Sequence, residues 1–308
     1  MSTIEIGVNN CFAIGRYPEP EEWLRVVKDD LGLSIVQYSF DLSDPVILDD
    51  EVFRDACRRT KTLADEKGVY IQTGTTGEVV HKFNCLLDPN PGFRASYLRW
   101  YEKMIRGGSL LGVEGCGVYM GTMSRKDEAD PTRKSFLTEV ILDEIAYLSS
   151  VSKEEGQSYF LWEPMSVPRE IPCTIDETAE LLGRVNERAH VPVRLNLDVG
   201  HGYIRSGDPR DSDPYAWIRE LGRLAPAIHI QQTDGRGSRH WPFSEEYNKI
   251  GIIEPERVFE AIEFSGAEKT TILFEFFYSA HAEPDESALD CLKTSVEYWA
   301  EAVQRVYG

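Results

Sequence analysis

Eight short apolar runs, each followed by a longer segment with helical spacing, recur from one end of the chain to the other. This alternation restricts the fold more than any other feature. The runs read as strands over residues 4–9, 33–40, 69–73, 113–120, 158–163, 191–198, 227–231 and 270–277. Between them the pattern predicts helices at 20–30, 50–67, 93–111 and 132–155, then one opened by Thr174, one from Asp213 through Gly222, and two at 254–264 and 285–306. Their ends carry local signals. Pro20 and Pro214 stand at first helical positions, Gly32, Gly68 and Gly156 follow helix ends, and Thr174 with Glu177 three residues later forms a capping box. Strand–helix alternation implies parallel pairing, and eight such units imply a closed (β/α)8 TIM barrel, expected as one domain over residues 1–308. An open doubly wound sheet alternates in the same way. That alternative lacks its usual mark, because no G-x-G-x-x-G follows the first strand and Gly107-Gly108 falls inside a helix.

Composition removes several function classes. Apolar residues make up 42 % of the chain, enough for a large core. The formal charge is −19, from 52 acidic and 33 basic residues, which opposes a nucleic-acid surface. It does not exclude a small anionic substrate, since a local arginine cluster can override the mean field. No apolar run approaches the roughly 18 residues of a membrane helix, and the segment from Met1 to Ile6 has no basic stretch leading an apolar one. The expectation is a soluble, acidic, cytoplasmic protein without a membrane partner. Cys11, Cys57, Cys85, Cys116, Cys173 and Cys291 form no C-x-x-C pair, so neither a zinc knuckle nor a redox dithiol is expected, and scattered thiols suit a reducing compartment.

Function is best indicated where the strands end. Tyr159-Phe160-Leu161-Trp162-Glu163, Leu195-Asn196-Leu197-Asp198, Ile228-His229-Ile230-Gln231 and Ile272-Leu273-Phe274-Glu275 each finish an apolar run on a polar side chain. Alternate residues of a strand share a face, so Asn196 points with Asp198 and His229 with Gln231. In a barrel these positions converge at the carboxyl ends of the strands. Glu163, Asp198 and Glu275 would then crowd three carboxylates together, a costly arrangement that a divalent cation resolves. Oxygen-rich ligation favours Mn²⁺ or Mg²⁺, with Co²⁺ or Zn²⁺ as alternatives. Taken singly, each carboxylate could equally be a salt-bridged or solvated strand end.

Over essentially its whole length the chain resembles the xylose-isomerase-like barrels, which include sugar-phosphate isomerases and epimerases. The resemblance rests on Glu163-Pro164, Asp198-x-x-His201, His229-x-Gln231 and Glu275. It implies one divalent ion held by Glu163, Asp198, Gln231 and Glu275, proton transfer by Glu163 and Glu275, and substrate contact by His201. The seventh-strand ligand is a histidine in many relatives. The His-Ile-Gln segment here is similar to hydroxypyruvate isomerase, which favours Gln231 as the ligand and leaves His229 as an inward neighbour or a hydrogen-bonded core histidine. The stretches Glu163 to Glu170 and Asp234 to Ser238 are similar to tetrulose-phosphate (erythrulose-phosphate) epimerases and isomerases.

Arg169, Arg236 and Arg239 follow two of these strand ends, and a guanidinium matches phosphate oxygens in a two-pronged geometry. They are candidates for substrate phosphate; the opposing reading pairs them with Glu170 or Asp234. His81, in the long excursion after the third strand, is a further substrate-contact candidate or a solvated loop histidine. Trp162 and Phe277 read as packing residues, Trp241 as part of the pocket wall, and His190 and His281 as surface residues.

The expected activity is that of a metal-dependent isomerase: epimerisation of a small ketose phosphate, a tetrulose phosphate 3-epimerase above all, or aldose–ketose isomerisation. The cation would stabilise the enediolate left when a proton alpha to a carbonyl is removed. Three other classes stay open. An isomerase of an unphosphorylated sugar or hydroxypyruvate-like compound would not need the arginines. A phosphodiesterase or endonuclease on the same barrel would carry more than six histidines and a basic groove. A non-catalytic sugar-binding barrel would not need both glutamates. Subunit number is left open, a homo-oligomer being common among such barrels.

Overall fold

The computed structural model describes residues 2–278 and 284–308. His281 lies outside them. Eight strands, β1 (Thr3–Asn9), β2 (Ile35–Ser39), β3 (Tyr70–Thr75), β4 (Gly115–Val118), β5 (Tyr159–Trp162), β6 (Val193–Asp198), β7 (Ala227–Ile230) and β8 (Lys269–Phe274), pair in sequence order and close into a barrel. Every pairing is parallel, and β8 closes on β1 with Val8 opposite Phe274. The helices are α1 (Pro20–Arg25), α2 (Asp50–Lys67), α3 (Pro91–Leu111), α4 (Arg125–Ala129), α5 (Pro131–Glu154), α6 (Ile175–Asn186), α7 (Pro214–Leu221), α8 (Glu245–Asn248), α9 (Pro255–Ser265) and α10 (Asp285–Tyr307). No helix among the described residues is long and apolar enough to cross a membrane.

Gly68 closes α2 in the left-handed conformation and the Thr174 hydroxyl accepts from Glu177 N at the start of α6, as the sequence signals. Gly112 and Gly266 close α3 and α9 in the same way, and the segment expected as one helix over 20–30 divides into α1 and a π-helical turn over Val26–Asp30. Two short helices, α4 and α8, stand where the sequence reads as loop. Each is a single turn capped by a serine, with Ser124 Oγ accepting from Asp127 N and Ser244 Oγ from Tyr247 N. A turn that short has no apolar period to reveal it. Helix α3 shows why Gly107-Gly108 sits inside a helix. A Cβ at Gly107 would collide with the Phe53 ring, and one at Gly108 with Cys116 Sγ, so the pair lets α3 lie close against α2 and the barrel. Among the described residues no cysteine forms a disulfide.

The barrel axis is not apolar throughout. Asn9, Gln37, Thr73, Asn196 and His229, from β1, β2, β3, β6 and β7, meet inside it and are fully buried. This polar layer lies directly beneath the carboxyl ends of the strands.

Candidate active site

Asp198 is the last residue of β6, and Glu163, Gln231 and Glu275 each stand one residue beyond β5, β7 and β8. All four are buried. The closed sheet therefore brings the four sequence-predicted positions to one end of the axis. Over them lies a cavity of about 320 Å³ whose lining includes Glu163, Glu275, His81, His201, His240 and Lys82. Two residues in its wall, Val118 (φ 102°) and His240 (φ 50°), hold left-handed backbone conformations that non-glycine residues rarely adopt. Such strain concentrates at functional sites.

His229 is the centre of the cluster. Its Nδ1 lies 3.1 Å from Glu275 Oε2, 3.3 Å from Glu163 Oε1 and 3.9 Å from Asp198 Oδ2. Burial alone would lower its pKa, but Glu275 and Glu163 outweigh that and hold the imidazole well above its ordinary range. The same balance, burial against Asp198, Glu163 and Glu275, raises His201. Glu275 is buried too, yet His229, His240 and His201 together keep it below the usual carboxylate range. His81 stacks on Tyr119 at 4.0 Å between centroids, and burial depresses its pKa to about 3, so it is neutral at working pH.

The arrangement suits a divalent cation. Ligand atoms of Glu163, Asp198 and His229 lie within 4.8 Å of one another, as do those of Asp198, His240 and Glu275. His229 Nδ1 and His201 Nδ1 are buried without a well-directed hydrogen bond, so each has a lone pair or a proton to offer. Three carboxylate groups and an imidazole nitrogen, whose proton an ion would displace, form a donor set for a hard or borderline ion. Gln231 is placed differently from these. Its Oε1 accepts from Arg239 N (2.7 Å) and His240 N (2.5 Å), while its Nε2 donates to Asp198 Oδ1 (3.0 Å) and Oδ2 (3.1 Å). Ligation through the Gln231 oxygen requires a half-turn of the amide that gives up both backbone bonds.

The remaining candidates divide. His201 and His81 line the cavity, whereas Arg169, Arg236 and Arg239 do not. Arg239 makes a two-pronged contact with Asp234, at 3.0 Å from both Nε and Nη2, which is the pairing that competed with phosphate in the sequence. Arg169 Nη1 donates to Met123 O at 3.1 Å, and Arg236 is exposed. Trp241 stacks on Tyr247 away from the cavity, while Phe277 lines it. Trp162 is buried and His190 exposed. Sequence reasoning missed His240 and Lys82. His240 Nδ1 lies 3.1 Å from Glu275 O, and Lys82 Nζ 3.2 Å from Glu78 Oε1. No local pattern marks His240, because its place depends on the loop that Gln231 fastens.

A family model for xylose isomerase-like TIM barrels matches residues 25–301. The chain belongs to the xylose isomerase-like TIM barrel family. It is 28 % identical over 298 residues to the D-erythrulose 1-phosphate 3-epimerase of Brucella abortus, covering 96 % of each chain. Among solved structures it resembles a candidate xylose isomerase from Rhodospirillum rubrum, with a TM-score of 0.89, 28 % identity, and 97 % of this chain and 99 % of that one covered. The D-psicose 3-epimerase of Clostridium cellulolyticum H10 aligns with a TM-score of 0.67 over 96 % of this chain and 99 % of its own. At 17 % identity that last likeness concerns the fold.

Proposed function

We propose that this enzyme, of the isomerase class, is a divalent-cation-dependent 3-epimerase of a small ketose phosphate, in first place a tetrulose phosphate. The observation that carries the reading is the pair of buried carboxylates, Glu163 and Glu275, brought from β5 and β8 to either side of His229 under one cavity. The 28 % identity to a D-erythrulose 1-phosphate 3-epimerase, end to end, supports the substrate class.

Glu163, Asp198 and Glu275 would hold the ion, with His229 Nδ1 or the Gln231 carboxamide completing the set. The ion supplies electrostatic stabilisation of negative charge on the substrate oxygens beside the reacting carbon. One glutamate, entering as the carboxylate, removes the proton from carbon 3 and leaves an enediolate; the other, entering as the carboxylic acid, gives its proton to the opposite face, and exchange with solvent resets both. Positioned acid/base groups of this kind contribute about 10²- to 10⁴-fold each. His201 and neutral His81, on the cavity wall, orient the hydroxyl groups. The substrate is small enough for a cavity of about 320 Å³.

Incubation of the Mn²⁺-loaded enzyme in D₂O with tetrulose, pentulose and hexulose phosphates tests this. Deuterium at carbon 3 with appearance of the epimer is expected for the tetrulose phosphate. Deuterium at carbon 1 or 2 with an aldose product would replace epimerisation by isomerisation. A second reading, an unphosphorylated ketose, is favoured by one observation: none of Arg169, Arg236 and Arg239 lines the cavity, and Lys82, which does, is paired with Glu78. If phosphate is bound, Lys82→Ala raises KM for the phosphorylated sugar at least about tenfold, the scale of a lost charge-assisted contact. Equal use of both sugar forms by the unaltered enzyme would favour the second reading.

A further inference from the structure

The polar layer under the site has a definite polarity, which can be traced from a fixed backbone donor. Asn9 Oδ1 accepts from the Cys11 amide at 3.0 Å, so the Asn9 nitrogen must face the other way. That nitrogen donates to Glu275 Oε1 at 2.8 Å and to Gln37 Oε1 at 3.1 Å. With its oxygen so engaged, Gln37 turns its nitrogen to Thr73 Oγ1 and Asn196 Oδ1, both at 3.1 Å. Asn196 in turn presents its nitrogen to Glu163 Oε1 at 3.0 Å. Each amide orientation dictates the next, which settles assignments that heavy-atom positions alone leave ambiguous. Gln37 Oε1 also faces His229 Nε2. An amide oxygen only accepts, so His229 carries a proton on Nε2, and Nδ1 is the nitrogen turned to the carboxylates.

We propose that Gln37 is the positioning residue of the site: through Asn9 and Asn196 it joins Glu275 and Glu163 into one hydrogen-bonded unit and fixes His229 with Nδ1 facing the cation and substrate. Gln37 touches neither glutamate. It acts through two asparagines, each of which donates one hydrogen bond to Oε1 of one carboxylate. All four hydrogen-bonding positions of its carboxamide are used, and it is fully buried, so it has one stable orientation. The two proton-transfer groups are thereby set by one side chain, which suits a reaction needing two carboxylates in fixed opposed positions. The assignment of those groups as proton carriers rests on the function proposed above; the geometry of the layer does not.

The polarity makes an asymmetric prediction. Gln37→Glu keeps an acceptor for Asn9 and His229 but loses the donor to Asn196. The Asn196 amide then turns, and Glu163 loses its hydrogen bond while Glu275 keeps its own. Three readouts follow on the full-length protein, with thermal melting to confirm folding. By calorimetry, Mn²⁺ affinity falls about 10- to 100-fold, the usual cost of losing a partner behind a metal ligand. By NMR of the ion-free protein, a His229 Nε2–H resonance protected from solvent exchange persists in Gln37→Glu and vanishes in Gln37→Leu. In D₂O, the ratio of label in recovered substrate to label in epimer changes from that of the wild type, because only one of the two carboxylates is disturbed. A merely structural role would lower both labels together. Asn196→Asp, which removes the same donor without touching Gln37, reproduces the shifted ratio and serves if Gln37→Leu fails to fold. Folded Gln37→Glu and Asn196→Asp variants with wild-type Mn²⁺ affinity and an unchanged ratio would overturn the proposal. If instead the affinity and the His229 resonance respond as stated while the wild type labels no ketose phosphate, the positioning role stands and the epimerase reading falls.

Discussion

Glu163 and Glu275 are the residues on which turnover should depend most. Glu163→Gln and Glu275→Gln keep shape and volume and remove the base. Each should lower kcat about 10²- to 10⁴-fold or more, with thermal stability preserved, as initial-rate assays and melting curves would show. Asp41 offers a test without substrate. It fastens the excursion after β3 by accepting from Glu78 N (2.6 Å) and Val79 N (3.2 Å). Burial raises its pKa to about 6 in spite of those two donors. Between the unfolded value of about 3.9 and the folded value the native state binds the proton and the unfolded state does not. Stability is therefore greatest below the lower value and declines as pH rises to about 6, by on the order of 3 kcal/mol, after which it is level. Asp41→Asn should remove that decline. Urea unfolding of both proteins from pH 4 to pH 8 decides it, and parallel curves would dismiss Asp41 as the cause.

Among the elements, α3 shows packing overriding propensity. In an exposed helix, alanine in place of glycine gains about 1 kcal/mol. At Gly108 the added methyl meets Cys116 Sγ, so Gly108→Ala should instead destabilise by about 1–3 kcal/mol, read as a lower Tm. The loop after β7 is the other element with a clear dependence, because the Gln231 oxygen holds Arg239 N and His240 N and thereby places His240 beside Glu275. Gln231→Glu keeps that clasp but sets a fourth carboxylate against Asp198. The ion-free variant should melt below the wild type and recover more on adding Mn²⁺; an identical shift for both would show that the side chain does not face the ion. Helix and strand limits were legible to within a few residues because periodicity and caps are local properties. Helices α4 and α8 were not, since one capped turn leaves no period.

At the scale of the molecule, a net charge of −19 and a buried carboxylate cluster lead to the expectation that a bound divalent cation stabilises the fold. Mn²⁺ at about 100 times its Kd should stabilise the fold by about 2.7 kcal/mol. Melting with EDTA and with Mn²⁺ measures this, and Asp198→Ala should abolish most of the difference. The chain order of strands and helices, the barrel they close into, and the acidic residues at or one position past the ends of β5, β6 and β8 were written in the sequence, because each is set by neighbours a few positions away. Which arginines are free, where His240 stands and how Asn9, Gln37 and Asn196 join the two glutamates were decided only when the barrel closed. Asn9 and Glu275 are 266 positions apart, and alternation along a strand fixes which face a side chain takes but not which side chain it meets across the axis.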